Sequence, residues 1–313
     1  MATITDLLLA SRPLVALLAA EQPGIKVLAP RRISARYIDP AHQPRDKRRV
    51  PDHQETLFHC GWCSARGHNE PVTDPGVLAS PNIWNWPEVY ERENQAVDAD
   101  GALWAALTDQ VDWYGADIVD VGCGDAFHLP RFAERARSVV GVEPHPPLVI
   151  RARRRVRDLA GVRVLAGCAQ RLPLLDSSAD LVHARIAYFF GPGCERGLAE
   201  ARRVLRPGGS MVVIDLDGTH APYGEWLCAA APRYRPAAVK AFFAAQGFDC
   251  RRVDTVWRFC DRGDLEDALR IEFTPEVAAR AIAQTRGLTI PVRYRVHLRC
   301  EPTVRTMGHW KAR

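Results

Sequence analysis

Short apolar runs alternate along the central part of the chain with segments of helical character. Five runs rich in Val, Ile, Leu and Ala have the length of buried strands, and they cover residues 117–121, 138–143, 162–166, 181–184 and 211–216. Two intervening segments, 129–136 and 145–159, are predicted to be helices. Because strands that alternate with helices favour a parallel sheet covered on both faces, we predict a doubly wound α/β fold.

The pattern continues on both sides of these strands. Residues 88–107 have helical character, but Asp100-Gly101 predicts a break that divides them into two pieces. After the fifth strand we predict, in order, a helix near 235–246, a strand at 253–259, helices between 265 and 286, and a last strand near 292–299.

The first 80 residues differ in composition from the rest. Thr3 and Asp6 predict the start of a short apolar helix. Residues 30–51 are rich in Arg, Lys, Pro and Asp and have no apolar period, which is typical of a solvated linker or of an arm that contacts RNA or phosphate. We therefore expect an N-terminal extension over residues 1–80 and a folded domain over residues 81–313.

Composition narrows the class of protein. The 313 residues are 47% hydrophobic, and 42 basic against 37 acidic residues give a formal charge of +5, which permits an anionic partner without requiring one. Nine cysteines spread through a chain of this size favour free thiols in a reducing compartment. The N-terminal apolar stretches lack the length of a membrane span and the basic start of a secretory signal, so we expect a cytoplasmic protein.

A cysteine pair in the extension raises the question of metal binding. Cys60 and Cys63 have the C-x-x-C spacing that lets two sulfurs reach one zinc ion, and His68 could supply a third ligand. The fourth ligand stays open between His53, His59 and a residue elsewhere. A redox pair, or no metal chemistry at all, are the alternatives.

The first predicted strand runs into a glycine turn at residues 118–128. Gly122 and Gly124 would let a ligand lie against the backbone, and the N–H groups that follow could face its polar portion. Glu143 ends the second strand about 20 residues later, the offset at which a carboxylate can bind ribose hydroxyls. This combination indicates a site for a nucleoside-containing ligand.

The turn resembles motif I of the class I S-adenosylmethionine-dependent methyltransferases, and Glu143 matches their ribose-binding acid. Residues 165–180 are similar to the family segment that contacts adenine, and residues 205–215 resemble its turn into the fifth strand. Ala126 stands where the family usually has a third glycine, and Cys168 where it commonly has an acid. The resemblance, to a methyltransferase-11-type core, implies a mostly parallel seven-stranded Rossmann-like sheet with the last strand antiparallel.

The resemblance also implies site residues. The expected cofactor contacts to S-adenosylmethionine are Asp120, Gly122, Gly124, Glu143, Ala169, Gln170 and Tyr90. The expected catalytic residues on the acceptor side are Arg185, Tyr188 and His220, with His183, Asp215 and Asp217 nearby. Trp84 and Trp86 could stack on a planar ligand, although ordinary packing is the simpler interpretation.

The resulting hypothesis is in-line methyl transfer to an O, N or C nucleophile of a small molecule. One alternative is an RNA methyltransferase that uses the basic, zinc-binding extension. A second alternative is a methyltransferase-like protein that binds a cofactor or a partner without catalysis.

Overall fold

The computed structural model describes Val77 and residues 79–303 of the chain. Its helices are α1 (Pro81–Asn85), α2 (Pro87–Ala96), α3 (Ala102–Gln110), α4 (Leu129–Ala133), α5 (Pro146–Val156), α6 (Glu195–Val204), α7 (Tyr223–Ala230), α8 (Pro236–Ala245), α9 (Arg262–Glu272) and α10 (Pro275–Gln284). Its strands are β1 (Asp117–Val121), β2 (Ser138–Glu143), β3 (Val162–Ala166), β4 (Ala179–Arg185), β5 (Leu205–Leu216), β6 (Asp249–Arg258) and β7 (Thr289–Cys300).

The strands form one seven-stranded sheet in the order β3-β2-β1-β4-β5-β7-β6. Strands β1 to β5 pair in parallel, and β7 runs antiparallel to both β5 and β6. The predicted mostly parallel sheet with an antiparallel last strand is therefore confirmed. The strand order reverses between β1 and β4, and an open α/β sheet binds its ligands in the crevice at such a point.

The central strands are apolar on both sides because both faces of the sheet are covered. In β1, Ile118 packs into the core layer that contains Phe132 of α4, while Val119 packs into the opposite layer with Leu198 of α6. Fully burying an aliphatic side chain of this size contributes about 1.5–3 kcal/mol to folding. This two-sided burial explains why the sequence shows continuous apolar runs rather than alternation.

The predicted break at Asp100-Gly101 is confirmed and has a visible cause. Helix α2 ends at Ala96, and Gly101, which immediately precedes α3, has a φ of 72°, a left-handed conformation outside the helical range. Asp98 then helps to start α3, because its carboxylate accepts hydrogen bonds from the backbone N–H of Leu103 at 2.8 Å and of Trp104 at 3.1 Å. These bonds satisfy donors that a helix start leaves without partners.

Three helices, α1, α6 and α7, lie in segments that the sequence pattern left unassigned. In α6 the residues that pack inward include Leu198, Ala201 and Val204, which are three positions apart. The Arg and Glu residues between them make this apolar period difficult to recognise. The segment of α7 is short and follows a turn that ends at Pro222. Strand β5 also begins earlier than predicted, since Leu205 pairs with Ala179 before a register shift beside Pro207-Gly208-Gly209.

The N-terminal extension, with its predicted helix, basic arm and cysteine segment, lies outside the described residues. The seven cysteines within the described residues are free thiols, in line with the expectation for this chain. None of the described helices has both the length and the apolar character needed to cross a membrane.

A buried charged cluster joins the parallel and antiparallel parts of the sheet. Arg295 on β7 donates two hydrogen bonds to Asp215 on β5, at 2.8 and 2.6 Å. His297 Nε2 lies 3.4 Å from Asp215 Oδ1, and its ring stacks on Phe243. Burial works to lower the pKa of His297, but Asp215 and the Cys250 thiol outweigh it and raise that pKa to about 9.

We expect this histidine to make stability depend on pH in alkaline solution. A histidine of the unfolded chain titrates near about 6.5, so the stabilisation by protonated His297 is complete below that pH. It is lost as the pH rises toward about 9. Denaturant unfolding at pH 6 and pH 9.5 should show a smaller pH-dependent fall in the free energy of unfolding for His297→Gln than for the wild type. Equal falls in the two proteins would contradict the assignment.

Candidate functional site

A cavity of about 190 Å³ opens at the carboxyl ends of β1, β2 and β4. Its walls come from the glycine turn after β1, the end of β2, the loop at 167–170, the segment at 185–190 and helices α1 and α2. This is the crevice at which the strand order reverses, and the fold therefore brings together residues that are far apart in the sequence.

The glycine turn is packed too closely for side chains. Gly122 and Gly124 have φ values of 75° and 57°. A Cβ atom on Gly122 would lie 2.5 Å from the Cβ of Ala187, and one on Gly124 would lie 2.9 Å from Cδ1 of Ile83. The two glycines therefore let the turn after β1 contact the loop after β4 and helix α1, and both line the cavity.

Ala126 follows the two glycines in a left-handed backbone conformation. Its φ is 69°, a region that L-residues with a side chain rarely adopt, and its methyl group is fully buried. Its side chain therefore adds a core contact beside the glycine turn.

Glu143 is fixed at the end of β2 by the turn itself. Its Oε2 accepts a hydrogen bond from the Gly124 N–H at 3.0 Å, and its Oε1 accepts one from the His145 N–H at 2.9 Å. Burial raises the pKa of Glu143 to about 7, against the opposite effect of these two backbone bonds. Each carboxylate oxygen keeps a further lone pair for a ligand hydroxyl, so the group suits the ribose of S-adenosylmethionine.

The loop after β3 supplies the next wall of the cavity. Gly167, Cys168, Ala169 and Gln170 all line it. Across from this loop, Trp84 of α1 stacks on the ring of His145, with centroids 4.2 Å apart and planes at 9°. Trp84 lines the cavity, whereas Trp86 is 56% exposed and lies outside the lining.

Asp120 was predicted to contact the cofactor, and the structure places it beside a histidine. Its Oδ1 lies 2.7 Å from Nδ1 of His183 on the adjacent strand β4, and both side chains are buried. Neither residue figures among the described residues that line the cavity. Their pairing holds β1 against β4 beneath the turn.

The predicted acceptor residues separate into two groups. Arg185, Tyr188 and Asp215 line the cavity, as does Tyr90, and burial raises the pKa of Tyr188 to about 12. His220 instead follows β5 outside the lining, with Nε2 3.9 Å from Asp254 Oδ1.

Asp217 orders the turn that carries His220. It accepts hydrogen bonds from the Thr219 N–H at 3.0 Å, from the Thr219 hydroxyl at 2.7 Å and from Arg252 Nε at 2.7 Å. Through these hydrogen bonds, Asp217 stabilises the turn.

The loop after β4 holds a strained residue inside the cavity wall. Ile186 has a φ of 47°, an outlying conformation for a β-branched side chain. Its backbone N–H donates a hydrogen bond to Ile214 O at 2.9 Å, which holds it in place. Strain of this kind is typical of functional sites, and here it occurs in the segment that carries Arg185 and Tyr188.

Two buried acids that line the cavity were not predicted from the sequence. Glu93 on α2 and Glu272 at the end of α9 are each 5% exposed, and both line the cavity. Glu272 accepts hydrogen bonds from the Tyr223 hydroxyl at 2.8 Å and from the Asn82 amide. The two acids are 179 positions apart on separate helices of ordinary polar composition, so no local motif marks them.

The described residues contain no group of three or more His, Cys, Asp or Glu side chains placed to hold a metal ion. The predicted ligands Cys60, Cys63 and His68 lie outside those residues, so the zinc hypothesis remains a sequence prediction.

The central part of this chain is similar in sequence to a known family of domains and to curated proteins. Residues 119–213 match a family model described as a methyltransferase domain. A 37.1 kDa protein in a transposon of Streptomyces fradiae is 36% identical over 106 residues, covering 33% of this chain and 31% of that protein. Phthiotriol/phenolphthiotriol dimycocerosates methyltransferase of Mycobacterium leprae is 34% identical over 127 residues, covering 40% and 46% of the two chains.

The similarity to both relatives covers less than half the length of each. Among solved structures, a SAM-dependent methyltransferase from Aquifex aeolicus aligns with a TM-score of 0.43 at 17% identity, covering 67% of this chain and 97% of that chain.

The close approach at Gly122 gives a direct test of the turn. Gly122→Ala should lower the free energy of unfolding by about 1–3 kcal/mol through overpacking against Ala187, in addition to about 1–2 kcal/mol for a left-handed alanine. Gly101→Ala is a matched control, since Gly101 has a φ of 72° and nothing within 4 Å of its Cβ position. Denaturant unfolding should therefore show the larger loss for Gly122→Ala, and equal losses would refute the steric account.

Proposed function

We propose that this chain is a class I S-adenosylmethionine-dependent methyltransferase and that it methylates a small-molecule acceptor bound in the cavity. The observation that carries this proposal is that Gly122, Gly124 and Glu143 line the same cavity as Arg185 and Tyr188. A cofactor half and an acceptor half thus meet at the ends of β1, β2 and β4.

The chain's own residues would act mainly by position. S-adenosylmethionine supplies an electrophilic methyl group on a sulfonium sulfur. Glu143 would accept hydrogen bonds from the ribose hydroxyls. The turn at Gly122 and Gly124 would let the ligand lie against the backbone. Ala169 and Gln170 would contact the adenine. Alignment of the reactants and exclusion of water then account for most of the rate enhancement that such a site can provide.

On the acceptor side we retain Arg185 and Tyr188 as the residues that contact the substrate. Both line the cavity, as does the strained Ile186, which lies between them in the sequence. His220, beside Asp254, lies outside the lining and would need a rearrangement to reach a bound acceptor.

Neither alternative function has an observation in its favour within the described residues. Three of the four arginines of α5, a helix that could have formed a basic face for RNA, are engaged with neighbours. Arg151 pairs with Glu88 at 2.7 Å, Arg155 pairs with Asp125 at 2.9 Å, and Arg153 donates to Val164 O at 3.0 Å. The division into an extension at 1–80 and a catalytic domain at 81–313 remains part of the proposal.

Calorimetric binding of S-adenosylhomocysteine tests the cofactor half directly. Glu143→Gln should weaken binding by roughly 10- to 100-fold, because hydrogen bonds to a charged group contribute about 1.5–3 kcal/mol. Glu134→Gln, on the exposed surface, is the matched control and should bind like the wild type. Unchanged affinity in Glu143→Gln would rule out the proposed role.

The pKa of Glu143 predicts how this affinity changes with pH. Protonation below about 7 removes acceptor capacity for the ribose hydroxyls, so wild-type affinity should fall as the pH is lowered from 8 to 6. Glu143→Gln carries no titrating carboxyl at this position. Its affinity should therefore depend less on pH than that of the wild type, and parallel profiles would contradict the prediction.

A further inference from the structure

Within the described part of the chain, two neighbouring acids that line the cavity have no cationic partner within 4.0 Å. From their placement we propose that Glu93 and Glu272 form an amine-selective acceptor subsite, in which Glu93 receives the proton of the ammonium nitrogen that is to be methylated. This inference rests on the proposed methyl transfer and adds the chemical class of the acceptor to it.

One carboxyl oxygen of Glu93 is buried without a hydrogen-bond partner among the described residues. Glu93 lies on α2, lines the cavity and is 5% exposed, and it is its Oε2 atom that lacks the partner. A buried carboxylate without a partner costs free energy. A bound ligand that donates a hydrogen bond to Glu93 would offset this free-energy cost.

Glu272 is held in place, but only by neutral donors. The Tyr223 hydroxyl and the Asn82 amide donate to its two oxygens. Within the described part of the chain, neither Glu93 nor Glu272 has an Arg, Lys or His nitrogen within 4.0 Å, whereas the nearby Asp215 is paired with Arg295. The two carboxyl groups therefore lack the positive charge that would let both of them ionise.

The remaining walls of the cavity suit an organic cation. Tyr90, Trp257 and Tyr294 line it, and aromatic faces attract ammonium groups. The Arg185 guanidinium lies over the Tyr294 ring at 5.6 Å and supplies one positive charge against the two acids. An ammonium group beside Glu93 would supply a second positive charge, so that two positive charges would balance the two carboxylates.

The electrostatics of the two acids agree with this role. Burial raises the pKa of Glu93 well above its usual range, the charge of Glu272 raises it further, and Arg185 acts in the opposite direction. Burial also raises the pKa of Glu272. The bound cation would favour the ionised form of Glu93, so binding of an amine should release a proton from the protein.

The chemistry balances in atoms and charge. An ammonium proton passes to the ionised Glu93, which becomes a neutral carboxylic acid, and the nitrogen gains the lone pair with which it attacks. The nitrogen–carbon bond then forms as the carbon–sulfur bond breaks with its electron pair on sulfur. The product is a methylated ammonium, and Glu93 later returns its proton to water.

The test uses the full chain saturated with S-adenosylhomocysteine and three probes of similar size. Phenethylamine, 2-phenylethanol and 3-phenylpropionate present an ammonium, a hydroxyl and a carboxylate on the same aromatic body. We expect phenethylamine to bind roughly tenfold more tightly than the other two, because a charge-assisted hydrogen bond is about twice as strong as a neutral one. Titrations in phosphate and in Tris should reveal proton release when phenethylamine binds.

Variants of Glu93 then identify the group responsible. Glu93→Gln should lose both the preference for the amine and the proton release while keeping its affinity for S-adenosylhomocysteine. Glu93→Asp retains the carboxylate and should retain the preference, and it decides the question if Glu93→Gln does not fold. Glu88→Gln, on the same helix with an exposed side chain paired to Arg151, is the control that should behave like the wild type.

The outcomes separate this inference from the proposed function. Equal or tighter binding of the alcohol or the carboxylate, no binding of any probe, or a preference that survives in Glu93→Gln would overturn the amine subsite. A chain that fails to bind S-adenosylhomocysteine at all would overturn the proposed function, and the amine subsite with it.

Discussion

The absence of a side chain at Gly122 is the constraint on which the site depends. With 2.5 Å between its Cβ position and the Cβ of Ala187, the turn after β1 can lie directly against the loop after β4. The same turn offers the Gly124 N–H to Glu143 at the end of β2. One close backbone approach thus fixes three strand ends relative to each other and creates the crevice that they enclose.

The parts of this arrangement that arise from local sequence were predictable. Continuous apolar runs predicted the parallel strands because both faces of the sheet are buried, and Asp100-Gly101 predicted a helix break because glycine adopts a left-handed conformation. The turn at Gly122 and the acid at Glu143 were also placed correctly at strand ends. Their roles in binding a cofactor remain proposals that rest on the resemblance.

Other features arise from contacts between distant segments, which a local pattern does not reveal. Asp120 was expected to face a ligand, yet it lies beside His183 because β1 and β4 are neighbours in the sheet. Likewise, Glu93 and Glu272 meet only because α2 packs on α9. The position of His220 outside the cavity follows from a turn that Asp217 and Arg252 hold together.

Ligand geometry is the most direct test of the central claim that this cavity holds S-adenosylmethionine. The measurement is a crystal structure of the chain with S-adenosylhomocysteine. The account predicts the ribose hydroxyls within hydrogen-bond distance of the Glu143 carboxylate and the sulfur facing the side of the cavity lined by Glu93 and Arg185. A ligand bound elsewhere, or a ribose that makes no contact with Glu143, would contradict it.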